Sequence, residues 1–266
     1  MCPHCRAFIT TSDRVCPYCG DRVGPKAIDV RAPAAILGMI PAAHFTTVLI
    51  LLINVALYIA TQYMASGIGQ NGALWAFGGK YGPSITRDHQ WWRLVTAGFL
   101  HGGLLHIAMN SWVLYDLGAQ VEEVFGTPRF LVIYFFGTIG GFYLSLRMNP
   151  ILSIGSSAGI MGLVGAMIAF GVLNRSSVGT AIRNHYARYV MYMLAFGFIG
   201  GFGVDNWAHI GGLAGGFALA WVAGTPVRSS HARESAWRAA AVGCLGITVY
   251  CFFLMYRAFP PPEALR

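Results

Sequence analysis

Residues 45–64 read FTTVLILLINVALYIATQYM. At 1.5 Å per residue, a helix of that length crosses the ~30 Å hydrocarbon core of a bilayer. No Lys, Arg, Asp or Glu occurs from Ala32 to Gly79, so nothing charged interrupts the run. Outward from it, further apolar segments follow at Gly103–Leu117, Phe130–Leu146, Gly155–Asn174, Tyr189–Val204, Asn206–Val227 and Ala239–Tyr256. Together they predict seven spans. Within lipid each backbone polar group must be satisfied inside its own segment, which makes these spans helices. Over all 266 residues, 56% are apolar and 11% charged. A soluble domain carries about 25% charged residues. A soluble globule and a disordered chain are thereby excluded. The 34 glycines follow no Gly-x-y period, which excludes collagen and fits close helix contacts. The expected fold class is an all-α, polytopic helical bundle embedded in a lipid bilayer.

The net charge of +8 would suggest nucleic acid in a soluble protein. Here it reads as basic loops facing an anionic leaflet, with no nucleic-acid partner. With the N-terminus inside, 12 of the 18 Lys and Arg fall in inner segments and 6 in outer ones. The positive-inside rule then places the N-terminus in the cytoplasm and the C-terminus outside. The first 31 residues hold no apolar core segment and so no signal peptide. Three regions are expected: a cytosolic module and linker at 1–31, a six-span core at 32–227, and a cytosolic loop, seventh span and short tail at 228–266. The first outer loop, about Ala65–Leu100, is long, and long loops tend to be functional. Its Trp75, Trp91, Trp92 and Arg93 are of the types that anchor at the headgroup level.

Cys2-Pro3-His4-Cys5 and Cys16-Pro17-Tyr18-Cys19-Gly20 are two C-x-x-C pairs. Each can wrap a turn whose thiolates face one ion, and two such turns complete a four-sulfur zinc shell. The ligands would be Cys2, Cys5, Cys16 and Cys19, in a structural site closed to substrate. So short a segment has no core of its own, and zinc would supply its folding energy. Free thiols or disulfides are the alternative, and a cytosolic setting disfavours disulfides. Cys244 and Cys251, in the last apolar segment, read as packing residues.

Polar groups at membrane depth are expensive and usually mark function. Three clusters begin even-numbered spans, which all start on the outer side. His101, His106 and Asn110 open the second, Ser153, Ser156 and Ser157 the fourth, and Asp205, Asn206 and His209 the sixth. Topology alone therefore brings them to one depth. Gly155-Ser156-Ser157-Ala158-Gly159 is a G-x-S-x-G at a helix start, where free backbone N–H groups can stabilise an oxyanion. A soluble nucleophile elbow needs a preceding strand, and none fits here. Gly212, Gly216, Ala220 and Gly224 form a small-residue stripe with His209 beside it. His106 and Asn110 share a helix face at i, i+4 and can donate hydrogen bonds. The plainer roles are backbone-bonded serine, packing histidine and interhelical polar contact.

Taken together, these residues resemble the rhomboid family of intramembrane serine proteases. The resemblance rests on Trp92-Arg93, the H-x-x-x-N of His106 and Asn110, the run from Gly155 to Gly162, and Ala208-His209 followed by Gly212 and Gly216. The Gly118–Glu122 run, read as ending the second span, matches in character. The resemblance implies a six-helix core, extended here by a seventh span, and a Ser–His dyad. Ser157 would be the nucleophile and His209 the base, with His106, Asn110 and the Ser157 N–H as oxyanion hole. His101, Trp92, Arg93 and Gly155 would support the site. The implied substrates are membrane-spanning proteins, cut near the outer face next to a small residue; the implied setting is a bacterial plasma membrane. No cofactor is implied for catalysis. Met161 stands where many members carry an aromatic against the histidine. Ser156 neighbours the nucleophile, and Asp205 stands four residues before His209 as an alternative triad acid. Two other classes remain: a non-catalytic rhomboid-like protein that escorts membrane clients, and a transporter with a polar midplane site. The latter would show inverted repeats, and none is apparent.

Overall fold

A computed structural model describes residues 15, 16, 18–20, 45–199, 203–225 and 229–260. The chain divides into two units, Met1–Ala42 and Ala43–Arg266. In the first unit, the described residues form one turn, in which the Gly20 N–H donates to the Cys16 carbonyl at 2.9 Å. Gly20 takes a φ of +74° there.

The second unit is nearly all helical. Its helices are α1 (Phe45–Ile68), α2 (Gln70–Ala76), α3 (Gly82–Thr86), α4 (Arg93–Thr96), α5 (Leu104–Met148), α6 (Ser157–Leu173), α7 (Ser177–Ile199), α8 (Asn206–Ala223) and α9 (His231–Arg257). Among the described residues, α1, α5 and α9 are long and apolar enough to cross a membrane. Helix α6 is apolar but shorter, at 17 residues.

Helix α5 departs from the expected pair of separate spans. It runs for 45 residues with a break at Gly126 (φ 75°, ψ 156°), two residues before Pro128. A straight helix of that length would extend about 68 Å. Yet His106, near its start, lies beside Gly155, and Asn149, just past its end, bonds Lys80, which pairs with Ser153. Both ends of α5 thus reach one connection, and the chain doubles back at Gly126. The positive φ makes this reversal affordable for glycine. Gly118–Glu122 therefore lies inside the helix rather than at its end. Helix α7 likewise begins at Ser177, 12 residues before the expected start at Tyr189, which puts Arg183 and Arg188 on a helix. A polar first half hid it from hydropathy.

Helix α6 is the centre of the bundle, packed against α5, α7 and α8, and most of its residues are buried. Between lipid-embedded helices there is little hydrophobic drive, so close van der Waals packing of small residues must hold them. Helices α1 and α9 leave most of their apolar surface exposed; Tyr63 is 85% exposed. In lipid that exposure carries no penalty.

Candidate active site

The connection from α5 to α6 is fixed from outside by the first loop. Lys80 and Ser153 exchange both backbone hydrogen bonds, at 2.9 and 2.8 Å, and the Gly82 N–H donates to the Pro150 carbonyl at 2.8 Å. The Gly155 N–H donates to the Ala97 carbonyl at 3.0 Å. Gly155 then adopts a φ of +127°, in the region that favours glycine. Helix α6 starts at the next turn, with Ser157 first and no side-chain cap from Ser156. The leading N–H groups of a helix have no intrahelical partner, so they are open to an external acceptor.

Around Gly155 the expected residues converge. A methyl group placed on it would sit 2.8 Å from His106 Nε2 and 3.5 Å from Ser157 Oγ. Those two atoms therefore border one small space. The Gly102 N–H donates to His106 Nδ1 at 3.5 Å. In a neutral imidazole this leaves the proton on Nε2, the nitrogen facing that space. Asn110, one turn further along α5, is buried, and its amide nitrogen has no hydrogen-bond partner among the described residues. Such an orphan donor calls for a reason.

The two neighbouring serines differ. Ser156 is fully buried, and its hydroxyl lies 3.2 Å from His101 Nε2. Ser157 is partly exposed. Of the pair, only Ser157 is reachable.

His209 is 2% exposed on α8. The small-residue stripe brings α8 against α6: a Cβ on Gly212 would strike the Ala158 carbonyl, and one on Gly216 the Gly162 carbonyl. On α5, a Cβ at Gly141 would lie 2.6 Å from the Ala208 carbonyl and 2.8 Å from the Ala158 side chain. Ala158 follows Ser157 and Ala208 precedes His209, so both residues stand at one level on touching helices. His209 Nδ1 has no hydrogen-bond partner among the described residues. The Asp205 carboxylate is committed elsewhere. It caps α8 by accepting from the Ala208 N–H at 3.1 Å, accepts the Ser145 hydroxyl, and faces Lys80 Nζ at 3.8 Å. Among the described residues, no hydrogen bond joins the Asp205 carboxylate to His209 Nδ1.

Trp92 and Arg93 correct the expectation of a headgroup anchor. Both are buried. Arg93 donates to the carbonyls of Trp75 (2.7 Å) and Gly79 (3.0 Å) and to Gln90 Oε1 (2.6 Å). Its guanidinium lies over the rings of Trp75 and Trp92 at 5.3 and 4.8 Å. Its donors are used within the loop, which it holds in shape. Of the neighbouring Trp91 and Trp92, only Trp91 is exposed.

Sequence reading missed Lys80, which it counted only as an outer-loop charge. Its side chain is 0% exposed, and Nζ donates to the carbonyls of Asn149 (2.7 Å) and Ile151 (2.8 Å). Burial lowers its pKa to about 8, partly opposed by the Asp205 charge, so it is protonated at neutral pH. No motif marked it; a lone lysine in a loop is indistinguishable from a solvated one.

Of the proposed zinc ligands, Cys16 and Cys19 are described, the first buried and the second exposed, while Cys2 and Cys5 lie outside the described residues. Among the described residues no group of three or more His, Cys, Asp or Glu could hold a metal.

Residues 88–226 match the family profile described as "Rhomboid domain". The chain is 38% identical over 151 residues to "Rhomboid protease GluP" of Bacillus subtilis, covering 57% of this chain and 29% of that protein. It is 33% identical over 153 residues to "Rhomboid-like protease 3" of Toxoplasma gondii, covering 55% and 56%. It is also 34% identical over 138 residues to "Inactive RHOMBOID-like protein 8" of Arabidopsis thaliana, covering 51% and 39%. The matches thus span only about a third to a half of these relatives.

Proposed function

The chain belongs to the rhomboid family, whose members are in general intramembrane serine proteases, and from that premise we propose that it is an intramembrane serine endopeptidase. Its substrates are membrane-spanning protein segments, cut near the outer face. The observation that carries this proposal is the space at Gly155, bordered by Ser157 Oγ and His106 Nε2. A substrate carbonyl oxygen placed there meets hydrogen-bond donors beside a hydroxyl nucleophile.

Ser157 Oγ attacks the scissile carbonyl while His209 takes its proton. The negative oxygen is held by His106 Nε2–H, the Asn110 amide and the Ser157 backbone N–H. His209 then protonates the leaving amine, and an acyl-enzyme remains on Ser157. Water, deprotonated by His209, releases the carboxylate and restores the serine. A family relative bears the word "inactive" in its name. This chain retains both Ser157 and His209, which favours the catalytic over the escort role.

The test is cleavage of a reporter transmembrane helix in liposomes. Wild type should cut, and Ser157→Ala and His209→Ala should each lose at least about 1,000-fold in kcat, as removal of a nucleophile or its base does. Equal turnover by all three would overturn the assignment.

The helices would sit as a six-span core plus α9, N-terminus in the cytoplasm, in a bacterial plasma membrane. The inner bias of basic residues supports that orientation. Cys2, Cys5, Cys16 and Cys19 would hold a structural zinc that stabilises the N-terminal segment. Two observations support it: the paired C-x-x-C spacing, and the turn closed by the Gly20 N–H on the Cys16 carbonyl, with Gly20 at a left-handed φ. Metal analysis should find one zinc per chain in the wild type and none in Cys16→Ser. Equal zinc in both would remove the site.

A further inference from the structure

Three segments that carry the site's chemistry meet at one buried cation. The first loop brings Lys80, whose backbone pairs with Ser153 four residues before Ser157. Lys80 Nζ donates to the carbonyls of Asn149 and Ile151, at the head of the same connection. It also faces the Asp205 carboxylate at 3.8 Å, and that carboxylate caps the helix on which His209 lies one turn in. An ammonium has three donors. Here two hold the segment leading to Ser157, and the charge holds the residue that starts the helix of His209. Taking a lysine fully out of water is unfavourable unless its partners are arranged around it. An exposed lysine would serve solubility equally well, so full burial with three partners points to a positional role.

We propose that Lys80 is a positioning residue, setting the Ser157 connection and the start of the His209 helix in register through a single buried ammonium. Resting as it does on the protease assignment, it makes the dyad's geometry depend on a residue of the first loop. Lys80 itself touches no reacting atom. Asp205 acts with it: its part in the site is the helix cap and the Lys80 charge.

The full chain in liposomes, with the reporter helix, supplies the test. Lys80→Met keeps the length of the side chain and removes its donors. It should lower kcat about 100-fold, the scale of a 1 Å misplacement, with KM within about twofold of wild type. Asp205→Asn can still cap α8 but lacks the charge. It should lower kcat about tenfold and add little in the Lys80→Met background, because contacting residues are not additive. Arg129→Ala, remote from the site, serves as a control for lost stability and should keep kcat near wild type. Wild-type kcat in Lys80→Met, full multiplication of the two losses, or an equal kcat loss in Arg129→Ala would overturn the proposal. Hydrogen exchange gives a readout independent of cleavage. In Lys80→Met, amides of both 152–158 and 205–209 should exchange faster; protection unchanged in either segment overturns the positional role. Should wild type and Ser157→Ala prove equally inert, the protease assignment fails alone, and exchange still decides for or against Lys80.

Discussion

Gly155 shows how a residue without a side chain can define a site. Its φ of +127° is one that L side chains rarely adopt, and its missing Cβ leaves the space between His106 Nε2 and Ser157 Oγ. Gly155→Ala should add strain of about 1–3 kcal/mol. It should also push His106 away, lowering kcat about 100-fold. Circular dichroism should show the helices intact while the reporter assay shows the loss; near-normal turnover would mean that the oxyanion sits elsewhere. At this scale much of the candidate site was legible in the sequence. Ser157, His209, His106 and Asn110 are conspicuous because polar chemistry is scarce among apolar residues. Lys80 was not legible, since burial is decided by chain segments far apart in sequence. Arg93 was misread for the same reason: its carbonyl partners come from Trp75 and Gly79.

Among the elements, the α6–α8 contact sets how near the helices of Ser157 and His209 stand. Their glycines bring backbone onto backbone at Gly212 and Gly216, where no flexible side chain can yield. Gly212→Val should therefore force the helices apart and destabilise the protein by at least about 1–3 kcal/mol, the range of an overpacked core. A lower Tm with lower activity is expected; an unchanged Tm would mean that the helices can separate freely. The i, i+4 stripe on α8 was readable in advance. On α5, Gly137, against Gly162 of α6, and Gly141, against Ala208 of α8, sit at the same spacing but were not singled out, because no chemistry stood beside them. Span limits were less readable. Hydropathy breaks at polar residues, whereas α5 and α7 continue through theirs.

For the whole molecule, a buried cation is one of the ties between α9 and the bundle, beside the Phe99–Phe252 ring contact and the Arg233 hydrogen bond to the Val222 carbonyl. Arg129, fully buried on α5, donates twice to Glu234 on α9, at 2.8 and 2.6 Å, and lies 5.5 Å from the Trp237 ring centre. Arg129→Ala should loosen α9: the Tm falls and protease nicking at 224–230 rises, while cleavage of the reporter persists. An unchanged Tm would show that α9 is held without the Arg129–Glu234 pair. The overall class was legible because too few charges exist to cover a soluble surface. The interior cations were not, because a charge count cannot separate those facing solvent from those locked inside.

The reversal at Gly126 has a consequence for how the protein is made. The half of α5 bearing His106 and Asn110 and the half bearing Gly137 and Gly141 are joined without a linker. With no slack between them, the two limbs are expected to enter the membrane as one hairpin rather than one after the other. His106, Asn110 and the surface that receives α6 would then arrive together, before residue 157 has been synthesised. Extra residues inserted at 126 would uncouple that arrival, and the newborn chain would then have to find by search what its single glycine now supplies by geometry.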